Sequence, residues 1–591
     1  MSWVSRVGRT AAIACLLASG LASGDSTVQR APREASAPAL TTVILVRHAQ
    51  KRRLPADDPP LTAAGRARAE AIASLLARAE VTASVDAVYA SPFQRTRQTA
   101  EPLAARAGVP ISAYDPRDSE ALAERVLEDH AGGTVLVVGH SNTLPSLVDA
   151  FGGERAVPPI EDEEYDNLYI VTVPASEGQS SVLRLTLPPA DEHTSIPSLS
   201  ALAATQAWHL VKAEFLDGHA VSGEPWETAY AEYLAPLPSH ADRTEASAAI
   251  NAMLAGLATS HTSHYTPRDT AWFQLLGIFG DQFPALRARH FAQDGGEVSY
   301  EGLPIAVRRL NGRVFVSGLY RPAQLAGDEL LLVGDELLTV DGDPFDEIEP
   351  FRGKAGQVVT LSVRRSPQGR AIPVLVRVER LRPARMFLDA VRAGAQVLEP
   401  TPGVPIAHVR MWSYAGVEYH DALRSLLRQP PFAEAQALVL DLRGGWGGAD
   451  PSYADYFLAR TATLSMRARS GVTTAYNDHW VKPLVLLVDG GTRSGKEVLA
   501  HTMQAHGVPV VGERTAGAVT AGRPFLLLDD SLLYLAVAAV TVDGQSLEGQ
   551  GVVPDIVVDR GLAYAAGADP QLARAIALAQ ASIQVGEAPQ R

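Results

Sequence analysis

Ser494 closes the turn Asp489-Gly490-Gly491-Thr492-Arg493, between the apolar run Leu484 to Val488 and a stretch where Val498, Leu499 and Met503 recur on one side. That pattern reads as buried strand, tight turn and helix. A serine at the junction exposes its hydroxyl and lies among the unpaired N–H groups of the helix start, as a nucleophile requires. The plainer alternative is an N-cap serine. A second candidate is Ala437-Leu438-Val439-Leu440-Asp441, a buried strand running into Leu442-Arg443-Gly444-Gly445-Trp446-Gly447-Gly448. Glycines there let backbone N–H groups converge on a small anion. A phosphate loop would continue as Gly-Lys-Ser or Gly-Lys-Thr, and this one does not, so an oxyanion hole fits better.

The N-terminal third offers different chemistry. Thr42 to Val46 reads as a strand entering Arg47-His48-Ala49-Gln50, and Thr134 to Val138 as a strand ending at Gly139-His140-Ser141. Helix-like Ala64 to Ala79 and Thr96 to Ala107 alternate with these and with Ala87 to Ala90. The alternation predicts an α/β sheet with site residues at strand C-terminal ends. With Ser91-Pro92-Phe93-Gln94-Arg95-Thr96-Arg97-Gln98-Thr99, these motifs resemble the histidine phosphatase superfamily, the phosphoglycerate-mutase-like α/β sandwich, from about Thr42 to Val173. The resemblance implies His48 as the residue phosphorylated in turnover, Arg47 and Arg95 as phosphate ligands and His140 completing the pocket. The residue types suit that role: an uncharged imidazole attacks phosphorus, and guanidiniums grip phosphoryl oxygens in pairs. Asp58, Asp115, Asp118 and Glu120 are the candidates for the acid. The short link from Tyr114 to Glu120 resembles the compact phosphohistidine-phosphatase subgroup. Arg53 is either a further phosphate ligand or part of a solvated Lys51-Arg52-Arg53 cluster.

Leu187 to Ser200 reads as a linker, and from Leu199 the pattern turns helical, with Trp208, Phe215, Trp226, Tyr230 and Tyr233 at core spacings. A further helix, Ala246 to Leu257, leads to Thr259-Ser260-His261-Thr262. Residues 303–380 alternate like strands, and Gly334-Asp335-Glu336-Leu337-Leu338-Thr339-Val340-Asp341-Gly342 resembles the centre of a PDZ domain. A PDZ domain would recruit an extended peptide to a sheet edge.

From about Ser200 to Tyr564 these pieces resemble the tail-specific-protease superfamily of serine peptidases, with an α/β ClpP/crotonase-like core. The resemblance rests on Asp441-Leu442-Arg443-Gly444-Gly445-Trp446-Gly447-Gly448, Gly491-Thr492-Arg493-Ser494-Gly495-Lys496-Glu497, Val511-Gly512-Glu513-Arg514-Thr515-Ala516-Gly517 and Gly551-Val552-Val553-Pro554-Asp555. One catalytic plan in that superfamily pairs the serine with a lysine, at the place where this chain has Ala518. Lys496, two residues past Ser494 on a helix, points away from it. The tricorn-type plan uses serine, histidine and glutamate with a helper serine, and each has a counterpart here. The resemblance implies Ser494 as nucleophile, His261 as base and then acid, and Glu548 with Ser260 orienting the imidazole. N–H groups of Gly447 and Gly495 would form the oxyanion hole, Gly448 being the alternative to Gly447. His264 is the alternative base, and Glu548 as a simple turn brace is the alternative to an orienting role.

A chain of 591 residues is too long for one core. The balance of 52 Lys+Arg against 66 Asp+Glu, a net −14 without long blocks of one sign, argues against nucleic acid as partner. Arg6 and Arg9 ahead of Ala11 to Ala22, with small residues at 22–24, read as an export signal. The only cysteine, Cys15, lies within it. The alternative is a lipid anchor on that residue. The expected organisation is multidomain α/β: signal peptide 1–24, linker 25–40, phosphatase domain 41–186, linker 187–200, helical N-terminal part of the peptidase 201–295, PDZ domain 296–385, peptidase core 386–575 and tail 576–591. The expected protein is periplasmic or secreted, needs no metal or organic cofactor, and acts on a peptide or protein and on a small phosphoester or phosphohistidine. No membrane span is expected after cleavage. The rivals are a chain with one live catalytic half and a non-catalytic peptide-binding scaffold.

Overall fold

The computed structural model describes residues 40–78, 85–153, 157, 160–162, 164–174, 180–186, 198–321, 329–459, 464–467, 469, 473–477 and 479–586. The expected signal peptide, Cys15 and most of both linkers lie outside the described residues. The chain divides into two compact units. One holds the described residues of Ser299–Ala521 and Ala538–Arg591, the other those of Pro32–Val298 and Gly522–Val537.

In the second unit, a six-stranded sheet runs in the order Ile111–Ala113, Val85–Ala90, Thr134–Gly139, Leu40–Arg47, Asn167–Pro174, Ser181–Thr186. Leu40–Arg47 pairs in parallel with Thr134–Gly139, which brings Arg47 opposite Gly139. Both faces are covered, so the central strands are apolar throughout, with Val43 to Leu45 fully buried. The parallel register sets Arg47-His48 and His140 side by side at the strands' C-terminal ends. Three or more helices follow from residue 199, including Leu199–Glu214 and Arg243–Ala255. Arg243–Ala255 starts on a capping box, Asp242 accepting from Glu245 N while Glu245 accepts from Asp242 N. A distant piece of chain, residues 522–537, packs among these helices: Leu533 pairs with His264, and Phe525, Leu527, Leu533 and Leu535 share a core with Trp208 and Met253. Leu199, Leu202 and Leu528 also join the core beneath the six-stranded sheet, so the helical segment and the N-terminal sheet share apolar packing.

Among the described residues the first unit holds two large sheets and two two-stranded ones. The large antiparallel one runs Ile372–Arg377, Val358–Arg364, Glu336–Val340, Arg313–Leu319, Ile305–Leu310, with Val316, Leu361 and Val374 fully buried. The other large sheet runs Gln396–Thr401, Val404–Arg410, Ala437–Asp441, Leu484–Val488, Val510–Gly512, Ile556–Val557, and all pairs after the first are parallel. Its central strands are apolar on both faces, and the site residues leave their C-terminal ends. Helix Pro570–Gly586 continues past residue 575, with Ala579 fully buried against the parallel sheet. Residues 576–586 of the stretch expected as a tail therefore continue a helix.

Candidate active sites

Ser494 caps helix Gly495–Ala505 with φ 56° and ψ −133°. A residue with a Cβ in that region carries local strain on the order of 1–3 kcal/mol, which the surroundings must hold in place. Glu497 supplies much of the hold. One of its oxygens accepts from Thr515 Oγ1 and Gly517 N, and the other from Ala518 N at 2.8 Å and Ser494 N at 3.1 Å. Ser494 N also donates to Ala518 O at 2.9 Å. Serine followed three residues later by glutamate is a capping-box signature, so Glu497 was open to detection in the sequence.

The glycine-rich turn closes the other side. A Cβ on Gly447 would sit 2.5 Å from Ser494 Cβ, and one on Gly445 would sit 1.7 Å from Trp412 O. Glycine is obligatory at both positions on steric grounds. Among the described residues no acceptor takes the N–H of Gly447, Gly448 or Gly495. These donors gather around the Ser494 turn, which is the arrangement an oxyanion hole requires. Glu548 reaches the same region through a different loop, its Oε2 accepting from Val519 N at 2.7 Å, next to the Ala518 carbonyl that holds Ser494.

Behind the turn lies a buried charge network. Asp489 Oδ1 accepts from Gly444 N and Gly491 N, and Oδ2 from Arg560 Nη1, all at 2.9–3.0 Å. Burial opposes the Asp489 charge, but Arg560 and Arg410 bring its pKa below the ordinary carboxylate value. Arg560 also donates to Ser317 O on the antiparallel sheet. Arg443 pairs with Asp441 and Asp569. Lys496, fully buried, donates to Met411 O and Gly444 O.

In the other unit, His261 has φ 54° and is buried. Ser260 Oγ lies 2.9 Å from His261 Nδ1, and the Tyr534 ring stands edge-on at 5.5 Å. His264 has a different environment: Nδ1 is 2.9 Å from Ser247 Oγ and Nε2 is 2.7 Å from Ser531 Oγ, which itself donates to Asp529 Oδ1. Ser531 therefore accepts from Nε2–H, and Nδ1 accepts from Ser247. Both ring nitrogens of His264 are occupied by serine hydroxyls. Burial holds its pKa down to about 4, so it packs as a neutral ring.

At the N-terminal sheet, His48 and His140 have ring centroids 5.4 Å apart. His48 Nδ1 lies 2.9 Å from Ala49 O and donates to it, which leaves the lone pair on Nε2. Burial first, then the charges of His140, Arg95 and Arg47, push His48 down to about 3. His140 is lowered to about 4, again chiefly by burial. Ser91 Oγ is 2.8 Å from His140 Nε2, and Arg95 Nη2 is 3.5 Å from Nδ1. Ala49 N donates to Thr99 Oγ1, fixing the turn after His48. Ser91 and Thr99 lie within the second motif, though sequence alone assigned them no part.

Arg47 also makes contacts that its motif does not announce. Its guanidinium donates to the carbonyls of Glu161, Glu164 and Asp162 at 2.6, 2.7 and 3.1 Å and stacks on Tyr165. The acid candidates divide as well. Asp115 is taken up by Arg117, Asp118 caps helix Ser119–Asp129, and Glu120 is exposed in its first turn. Asp58 accepts from Gln94 N and lies 3.8 Å from Arg95. Arg53 is exposed.

Family models match both regions: peptidase family S41 over residues 405–558, and the histidine phosphatase superfamily (branch 1) over residues 43–117. The chain contains an S41 peptidase domain and a histidine phosphatase domain. The S41 match includes Gly447, Ser494 and Glu548, and the phosphatase match includes Arg47, His48 and Arg95. The chain is 26% identical over 292 residues to the carboxy-terminal-processing protease of Bartonella bacilliformis, covering 46% of this chain and 64% of that one. It is 26% identical over 388 residues to the carboxyl-terminal-processing protease of Synechocystis sp., covering 61% and 83%. It is 29% identical over 268 residues to tricorn protease homolog 1 of Streptomyces coelicolor, covering 42% and 24%. Among the described residues no helix is long and apolar enough to cross a membrane.

Proposed function

We propose that the S41 domain is a serine endopeptidase with Ser494 as nucleophile and the N–H groups of Gly447 and Gly495 as oxyanion hole. The observation that carries this is the strained Ser494 backbone pressed against Gly447 beside donors without an acceptor. His261 is the general base. With Nδ1–H donated to Ser260, Nε2 holds the lone pair that takes the serine proton and later returns it to the leaving amine. Glu548, with Ser260, orients that imidazole and stabilises it once charged. The sheet of residues 305–377 acts as a PDZ domain that recruits peptide substrates, and the protein works after export. A fluorophosphonate probe labels the wild type and fails on Ser494→Ala. His261→Ala loses labelling by about a hundredfold or more. Labelling that persists in Ser494→Ala sinks the assignment.

The histidine phosphatase domain removes phosphate from a small phosphoester or phosphohistidine through attack by His48 Nε2, with Arg95 and His140 around the phosphoryl group. Hydrolysis of p-nitrophenyl phosphate that is lost in His48→Ala and unchanged in Ser494→Ala tests it. A second reading, with the peptidase as the one live half, draws on Arg47, whose guanidinium donates to the carbonyls of Glu161, Asp162 and Glu164.

A further inference from the structure

Gly444 is gripped at both ends by residues that flank Ser494 in sequence. Asp489, five residues before the serine, accepts from Gly444 N at 2.9 Å. Lys496, two residues after it, donates from Nζ to Gly444 O at 2.5 Å and to Met411 O at 3.0 Å. Three residues along the same turn, Gly447 abuts Ser494. The turn is otherwise soft: Gly444, Gly445 and Gly448 all have positive φ, and glycine imposes no conformation of its own. Its shape is therefore set by what holds its peptide groups.

Lys496 is fully buried, and among the described residues it has no carboxylate partner in ion-pair range. A buried lysine without a counter-ion is costly, and a residue serving only to fill space would be apolar. We infer that Lys496 is a positioning residue for the oxyanion hole, its ammonium fixing the Gly444 and Met411 carbonyls so that Gly447 N–H faces the Ser494 hydroxyl. The inference rests on the Ser494 reading above and deepens it.

The charged groups facing Lys496 are Arg410, at the end of the strand leading to Met411, Asp441 from the next strand, and Asp489 and Arg493 from the Ser494 turn. Burial and the arginines outweigh the aspartates and lower its pKa to about 7. The ammonium makes charge-assisted bonds to the carbonyls, roughly twice as strong as those of a neutral amine. It also favours negative charge developing on the substrate oxygen. Deprotonation above neutral pH weakens both effects, so activity falls on the alkaline side.

The test measures fluorophosphonate labelling rates from pH 5 to 9.5 on the full chain, comparing wild type, Lys496→Met and Lys496→Gln, with thermal melting of each. The expected result is a wild-type alkaline limb with a midpoint near 7. Lys496→Met is slowed at least about tenfold and lacks that limb. Lys496→Gln, which keeps N–H donors but cannot titrate, recovers part of the rate and also lacks the limb. It carries the test alone if the Met protein does not fold. Folded variants that label at the wild-type rate, or that are slowed but keep the alkaline limb, overturn the inference. A wild type that does not label at all overturns the Ser494 reading instead.

Discussion

Gly447 and Ser494 touch so closely that a methyl group on the glycine would lie 2.5 Å from Ser494 Cβ and 2.7 Å from Arg493 O. Both neighbours are fixed, the serine by Glu497 and Ala518 and the glycine turn by Asp489 and Lys496. Gly447→Ala must therefore push the turn away from Ser494. Removing one oxyanion-hole donor costs on the order of a hundredfold or more in turnover. Peptide hydrolysis by Gly447→Ala is expected to drop by that much, with phosphatase activity unchanged in the same preparation.

Glu497 accepts four hydrogen bonds and makes none as donor. Glu497→Gln turns one acceptor oxygen into an NH2 group facing N–H or O–H donors. Leaving buried donors unsatisfied costs about 1–3 kcal/mol. Thermal melting is expected to show a destabilised protein, and fluorophosphonate labelling of Ser494 should slow even well below the melting temperature.

His48 is neutral well below pH 6.5, its pKa lowered to about 3 chiefly by burial. The acid limb of kcat/KM reports the free enzyme's ionisations. The p-nitrophenyl phosphate kcat/KM should therefore not fall between pH 7 and pH 5 on account of this histidine. A steep loss with a midpoint near 6.5 would mean that the nucleophile is solvated and titrates as a free imidazole.

His264 gives a pH dependence of stability rather than of catalysis. Its pKa is depressed from 6.5 to about 4 on folding, so the unfolded chain binds more protons between those values. Its contribution is complete above 6.5 and declines as pH falls toward 4. Melting temperatures measured at pH 7, 6 and 5 should decrease, and the decrease should be smaller in His264→Gln, which keeps a hydrogen-bonding group and cannot titrate.

Much of the local structure around both candidate sites was legible because it is short-range. Strand, turn and helix around Ser494 follow from an apolar run, a Gly-Gly turn and helical spacing within about twenty residues. The same holds for Arg47-His48 and His140, each just after an apolar strand. What stayed hidden depends on partners far along the chain. Nothing near Arg47 in the sequence announces that its guanidinium is engaged by carbonyls more than a hundred residues away. His264 looked equivalent to His261 until Ser247, Ser531 and Asp529 closed around it.

The sequence by itself determined which residues stand at strand ends and which turns need glycine, because hydrophobic periodicity and backbone sterics act over short stretches. Only the tertiary structure decided what each charged or titratable group faces. Residues 522–537 pack among helices that begin about 280 positions or more earlier, and Lys496 closes on a glycine 52 positions before it. Such pairings are set by how whole sheets and helices bury their apolar faces, and no local pattern encodes them.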